Sequence, residues 1–333
     1  MHRRNFIWNT AQATFALSLL GLASCKKEQN NKEETQKDAI PNTSHASFFK
    51  LSLAQWSIHK MILDGGLSPF EFAAKAKNWG FEGLEYVNHL YSKELEKNTN
   101  SAMAMDNLVK ELKKRSEDNG LENLIIMIDG QGDFGFPDEA SRIQAVENHY
   151  KWVDAAAALG CHSIRVNLFG SKDAEVWKAA SIDALNRLSE YSVKSNINVL
   201  VENHGWLSSN AKLLVEVMQE VNKPNCGTLP DFGNFCLERE GGERWQAPCV
   251  KEYDKYLGVK ELMPFAKAVS AKSYDFDENG NETTIDYVKM LQIVKNAGYN
   301  GYIGVEYEGS RLNEEMGIIA TKDLLIKASK AIK

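Results

Sequence analysis

From residue 51 onward, hydrophobic positions alternate between two rhythms. Short runs rich in β-branched and aromatic residues occur at 51–57 (LSLAQWS), 81–87 (FEGLEYV), 122–129 (ENLIIMID) and 163–168 (SIRVNL). Four more follow at 198–204 (NVLVENH), 226–232 (CGTLPDF), 268–276 (AVSAKSYDF) and 302–308 (YIGVEYE). Such runs read as strands. Between them lie longer stretches with apolar positions at helical spacing. The stretch 68–80 opens with Ser68 as an N-cap and Pro69 at the first helical position, and it stops at Gly80. Two others stop at Gly160 and Gly298, because glycine accepts the left-handed turn that ends a helix.

Successive runs start 28–42 residues apart, the spacing of βα units. Eight such units in about 280 residues predict a (β/α)8 TIM barrel, one α/β domain over residues 47–333. A doubly wound open sheet is the competing arrangement. It is disfavoured because no glycine-rich phosphate loop follows the first run.

The first 46 residues break the rhythm. Arg3 and Arg4 precede an uncharged apolar run, Ala11 to Ala23. That run is shorter than the roughly 20 residues that span a bilayer. A basic start, a short apolar stretch and a small-residue exit form an export signal over 1–24. Arg3-Arg4-Asn5-Phe6 resembles a twin-arginine signal, and Leu22-Ala23-Ser24-Cys25 resembles a lipoprotein box with Cys25 as the lipidated residue. An uncleaved N-terminal anchor is the alternative. Residues 25–46 carry almost no apolar content and read as a disordered tether. The expected location is the periplasm or the cell surface, with membrane contact only through the anchor.

Charge narrows the partners. Removing residues 1–24 takes away two arginines and no acid, so the net charge goes from −6 to −8. An acidic body argues against nucleic acid. Of the 5 cysteines, Cys161, Cys226, Cys236 and Cys249 remain beyond Cys25. An exported protein can oxidise a pair of them, and the spacing leaves the pairing open.

Barrel enzymes work at the C-terminal ends of their strands. Glu202 and His204 share a parity at the tip of the fifth run, so both face inward. The sixth run supplies Asp231 and Asn234, and the eighth Glu306 and Glu308. The fourth offers Arg165 and Asn167, the seventh Ser270 and Lys272, the second Glu85, and the first Trp56. Converging carboxylates repel one another and lose hydration. Lys272 and Arg165 could neutralise them. A divalent ion does so better, and oxygen donors suit Mg2+, Mn2+ or Co2+.

Glu202 in VENH, Asp231 in PDFGN and Glu306 in GVEYE, in this order, resemble the xylose isomerase-like barrels. These are sugar isomerases and epimerases that share the endonuclease IV fold. The resemblance covers residues 51–330. It implies one divalent ion held by Glu, Asp, His and Glu from strands five to eight. Glu202, Asp231 and Glu306 fill three of those places. Ser270 stands where the family's strand-seven His belongs, two residues before Lys272. Water, a substrate oxygen or His204 then completes the set. His204 is otherwise a hydrogen-bond donor to substrate or a packed histidine. Asn234 stands where the epimerases often carry a substrate-binding His.

These assignments imply proton abstraction alpha to a carbonyl by Glu202 and Glu306, with Lys272 on a substrate oxygen. The expected substrate is a non-phosphorylated sugar, inositol or glycoside, bound by His204, Asn234, Arg165, Asn167, Glu85 and Trp56. A lyase acting on 3-keto-glycosides uses the same first step. Trp245 and Tyr253, in the long segment after the sixth run, can stack on a sugar or pack a lid. A non-catalytic lipid-anchored sugar-binding barrel without metal is a reading of another class. A trinuclear endonuclease-type site is disfavoured, since of 7 histidines only His204 falls in a strand-tip motif. One prediction concerns the anchor: Cys25→Ser should release the protein into the soluble fraction. Retention of the uncleaved variant in membranes would refute the lipidation site.

Overall fold

The computed structural model describes residues 47–333. Residues 1–46, including the export signal, Cys25 and the tether, lie outside the described residues. Among the described residues, no helix is long and apolar enough to cross a membrane.

Chain order gives β1 (Lys50–Ala54), α1 (His59–Leu63), α2 (Phe72–Asn78), β2 (Gly83–Val87), α3 (Ser92–Glu96), α4 (Ser101–Asn119) and β3 (Glu122–Met127). Then come α5 (Glu139–Leu159), β4 (Ser163–Val166), α6 (Ala174–Ser192), β5 (Asn198–Glu202), α7 (Ala211–Val221) and β6 (Cys226–Leu229). The remainder is β7 (Cys236–Arg239), β8 (Cys249–Glu252), α8 (Lys255–Leu262), β9 (Val269–Ser273), α9 (Tyr287–Asn296), β10 (Tyr302–Tyr307) and α10 (Glu314–Ala331). Eight strands form one parallel sheet in the order β6-β5-β4-β3-β2-β1-β10-β9. Its two edges meet. Lys267 N donates to Thr228 O, Ser270 N to Pro230 O and Phe232 N to Ser270 O, so the sheet closes into the expected barrel.

Local chemistry sets the element ends. Ser68 and Glu71 form a capping box at the start of the second helical stretch, with Pro69 behind Ser68. Asp138, Asp173, Asn210, Asp254, Asp286 and Asn313 each cap a helix by accepting a backbone N–H three residues on. Gly160 closes α5 at φ +88°, where a β-carbon would be strained. β2, β4 and β9 are buried throughout, because helices cover one face and the barrel interior fills the other.

Two differences from the expected elements matter. The first run was expected over 51–57, but the chain leaves the strand after Ala54 for a single helical turn, Gln55–Ile58. The segment after β6 is no plain loop. It is an antiparallel ribbon of β7 and β8, joined by a Cys236–Cys249 disulfide. Cys161 and Cys226 are free.

Candidate active site

β5 ends on Glu202, the turn after β6 carries Asp231, and Glu306 lies one residue before the end of β10. Their residues are only 2%, 0% and 4% exposed. One carboxylate oxygen from each lies within 4.8 Å of the others. Topology makes this meeting possible: Asp231 bridges to Ser270 across the closing seam, and Glu306 is the register partner of Lys272.

Neighbouring groups aim each carboxylate. Asp231 Oδ1 accepts the N–H groups of Gly233 and Asn234 at 2.9 and 2.8 Å, which turns Oδ2 toward the site. Asn203 pins the same turn, donating to Asp231 O at 3.0 Å and accepting from Asp231 N at 2.8 Å. Glu202 Oε1 accepts from Asn234 Nδ2 at 3.0 Å. Its Oε2 is 2.9 Å from Arg165 Nε, close enough for an ion pair although the N–H is not aligned on it. Arg165 Nη1 and Asn167 Nδ2 both donate to Asp129 Oδ1 at 2.7 Å. Lys272 Nζ lies 3.0 Å from Glu306 Oε1 and 3.3 Å from Glu308 Oε2.

Ser270 exposes an imbalance. Its hydroxyl lies 2.6 Å from Asp231 Oδ2 and 2.9 Å from Glu306 Oε2. One hydroxyl proton serves one carboxylate at a time. The other contact sets lone pair against lone pair unless a proton or cation intervenes. The wider ledger agrees: Glu202, Asp231, Glu306, Glu308 and Asp129 face only Arg165 and Lys272. Burial, reinforced by neighbouring carboxylates, pushes Glu202 and Asp231 well above the carboxylate range despite Arg165 and Lys272. Burial works to lower Lys272, but Glu306, Glu308 and Asp231 outweigh it and hold the ammonium charged. A divalent ion fits this all-oxygen, net-negative pocket and would take the place of those protons.

A cavity of about 600 Å³ opens above the triad. Glu306, Glu308, Asn234, Arg165, Asn167, His204 and Trp56 all line it, while Glu202, Asp231, Ser270 and Lys272 lie behind that lining. His204 is outside the group of mutually close ligand atoms. Its Nδ1 is buried without a partner, and burial with Arg165 nearby pushes the imidazole down to about 4. It is therefore a neutral group available to substrate. Glu85 does not reach the cavity. It sits in the barrel interior, bonded by Ser52 at 2.6 Å and so close to Gly304 that a β-carbon there would come within 2.5 Å of it. Tyr253 is also elsewhere, donating to Glu261 at 2.7 Å, whereas Trp245 lines the cavity.

Sequence reasoning missed Asp129, Asn203, Phe169 and Arg244. Asp129 had the same signal as Glu202, an acid closing an apolar run. Asn203 has the parity that faces away from the barrel axis, so its role in holding the next strand's turn shows only in three dimensions. His89 and His149 also line the cavity.

Residues 73–328 match the family model described as xylose isomerase-like TIM barrel. A C-glycoside deglycosidase alpha subunit from Arthrobacter globiformis is 43% identical over 49 residues, which is 15% of this chain. That match spans only 14% of the relative's length. An L-ribulose 3-epimerase structure superposes with a TM-score of 0.64 at 14% identity, covering 85% of this chain and 95% of its own. The 3-keto-D-glucoside 4-epimerase from E. coli gives 0.58 at 15%, over 77% and 93% of the two chains. The IOLI protein, solved with a zinc atom, gives 0.61 at 14%, over 86% and 99%.

Glu85 yields a pH prediction. Burial raises it from 4.5 to about 7, with Ser52 opposing, and its Oε2 has no partner. Its folded value lies above the unfolded one, so its stabilising contribution is full below pH 4.5 and fades as pH rises through about 7. The loss amounts to about 3 kcal/mol. Urea unfolding at pH 5 and pH 8 should show Glu85→Gln losing less stability across that interval than the parent. An unchanged interval would show that Glu85 is not buried as an acid.

Proposed function

This chain belongs to the xylose isomerase-like TIM-barrel family, and from that premise we propose a metal-dependent carbohydrate isomerase or epimerase. It moves a hydrogen alpha to a carbonyl. The observation that carries the reading is the pair Glu202 and Glu306, brought from β5 and β10 to one shared space with Asp231. Such a pair can take a proton and return it. A divalent ion held by Glu202, Asp231 and Glu306 would stabilise the charge that develops on adjacent substrate oxygens. With Ser270 occupied between Asp231 and Glu306 and His204 outside the group, water or a substrate oxygen is left to complete the set.

The chain's own groups supply the rest. Asn234 and Arg165 fix both oxygens of Glu202, so its orientation is set before substrate arrives. Held in that orientation, Glu202 is the base of this reading. Lys272 holds positive charge behind Glu306, from where its field would stabilise a substrate oxygen turning into an oxyanion at the cavity wall. His204 offers its free nitrogen to a hydroxyl.

Arg165 and Arg244 are already paired with carboxylates and Arg239 is bonded only to a backbone oxygen, so the acids Asp129, Asp133, Glu306 and Glu308 dominate the lining, which supports a non-phosphorylated substrate. The Cys236–Cys249 bond supports export to an oxidising compartment. A second reading, a lyase on 3-keto-glycosides, draws support from the cavity's extension past the carboxylates to Trp245 and from the short deglycosidase similarity. A purely sugar-binding barrel gives no reason to bury three carboxylates together with too few cations to neutralise them.

Purified protein should carry one divalent ion per chain by elemental analysis, and Asp231→Asn should lose it. In D2O, the loaded protein should wash deuterium into the alpha position of a keto-sugar from a panel of free ketoses and 3-keto-glucosides. Glu202→Gln should slow that exchange by about 10²–10⁴-fold. A metal-loaded protein that exchanges nothing across the panel would sink the reading. Lys272→Met should cut turnover by about 10²-fold while metal content survives. Parallel loss of metal and turnover would reduce Lys272 to charge balance.

A further inference from the structure

The arm formed by β7 and β8 is built more firmly than a covering loop requires. Its base is closed by Cys236–Cys249, and Arg239 Nη1 donates across it to Ala247 O at 2.8 Å. Its tip is tied to the barrel at three places. Lys172 Nζ reaches Gly242 O at 3.1 Å, and Trp206 Nε1 reaches Glu243 O at 3.3 Å. Arg244 pairs with Asp133 at 2.6 Å, with its guanidinium 4.4 Å from the Phe169 ring centre and 5.2 Å from that of Trp206. Two non-glycine residues of this assembly, Trp206 and Gln246, sit in the left-handed region at φ +53° and +63°. That conformation is costly and persists only where surroundings enforce it.

The result is the placement of Trp245. Its indole lies 5.1 Å from Phe169 and 5.1 Å from His204, ring centre to ring centre, at the cavity wall. It nevertheless remains 44% exposed, whereas Phe169 beneath it is 5% exposed. A residue that only packs the arm down would be covered. The cavity runs from Glu306 to Trp245 and, at about 600 Å³, offers more room than one pyranose ring needs. Pockets of roughly 300–1,000 Å³ bury ligands larger than a single sugar.

We propose that Trp245, backed by Phe169 and Arg244, forms a second-ring subsite for the group carried on the anomeric oxygen of a glycoside. This deepens the keto-glycoside reading above and rests on it for the position of the first ring. An aromatic aglycone and a second sugar share the chemistry recognised here, a ring with an apolar face set against an indole. Arg239, Arg244 and Gln246 bring polar groups to the same end of the cavity for substituents on that ring.

Ground-state binding tests the subsite apart from the reaction. Metal-loaded protein is titrated calorimetrically with methyl β-D-glucopyranoside, 4-nitrophenyl β-D-glucopyranoside and cellobiose, none of which carries the keto group. The two-ring ligands should bind about tenfold tighter than the methyl glycoside, and Trp245→Ala should remove that advantage while leaving methyl glucoside binding unchanged. A Cys236→Ser, Cys249→Ser double variant, checked for an intact barrel by circular dichroism, should lose it in part. If only the nitrophenyl ligand gains, the occupant is an aromatic aglycone; if only cellobiose gains, it is a sugar. Equal binding of all three ligands, or a Trp245→Ala variant that weakens all three alike, overturns the subsite. Failure of deuterium exchange with the advantage intact would instead overturn the catalytic reading alone.

Discussion

The barrel mouth draws Glu202, Asp231 and Glu306 within 4.8 Å of one another, out of water. Such a cluster is unstable without compensation. Arg165 spans Glu202 and Asp129, and Lys272 spans Glu306 and Glu308. Each cation thus serves two acids and falls short of neutrality. The residual negative charge makes the site receptive to protons and suits it to a cation. Burial, with neighbouring carboxylates adding to it, raises the proton affinity of Glu202 despite Arg165.

That electrostatic arrangement depends on rigid geometry. Asn203 ties the end of β5 to the turn after β6 through two hydrogen bonds. The bridge between Asp231 and Ser270 closes the sheet at the place where the carboxylates meet. Closure of the barrel and assembly of the site are therefore one event. The arm is a separate device, stapled by a disulfide and anchored by side chains rather than by the main sheet. The division follows the usual one in barrels, where strands hold the chemistry and loops vary the specificity.

The serine at position 270 shows how a departure from a family pattern is absorbed. A histidine there would offer a neutral ligand. Ser270 instead spaces Asp231 and Glu306 and offers one proton between them. Part of this was legible beforehand: the strand runs, their order, and the acids at their tips placed Glu202, Asp231 and Glu306 together. Glu85 was read as a mouth residue because parity sets which way a side chain points and not how far along the barrel axis it sits. Tyr253 and Trp245 were indistinguishable as exposed aromatics of one segment, since the turn that sends one to Glu261 and the other to the cavity is fixed by contacts from β4 and β5 loops.

The order of residues alone specifies the alternation of strands and helices, the helix ends at Ser68, Gly160 and Gly298, and the acidic character of the strand tips. These follow from local periodicity, capping and backbone freedom, which need only neighbours in the chain. The tertiary structure decided which cation meets which acid, the role of Asp129 and Asn203, the union of Cys236 with Cys249, and the seat of Trp245 beside His204. Those depend on distances between groups far apart in the chain and on their burial, which set the electrostatic and packing energies.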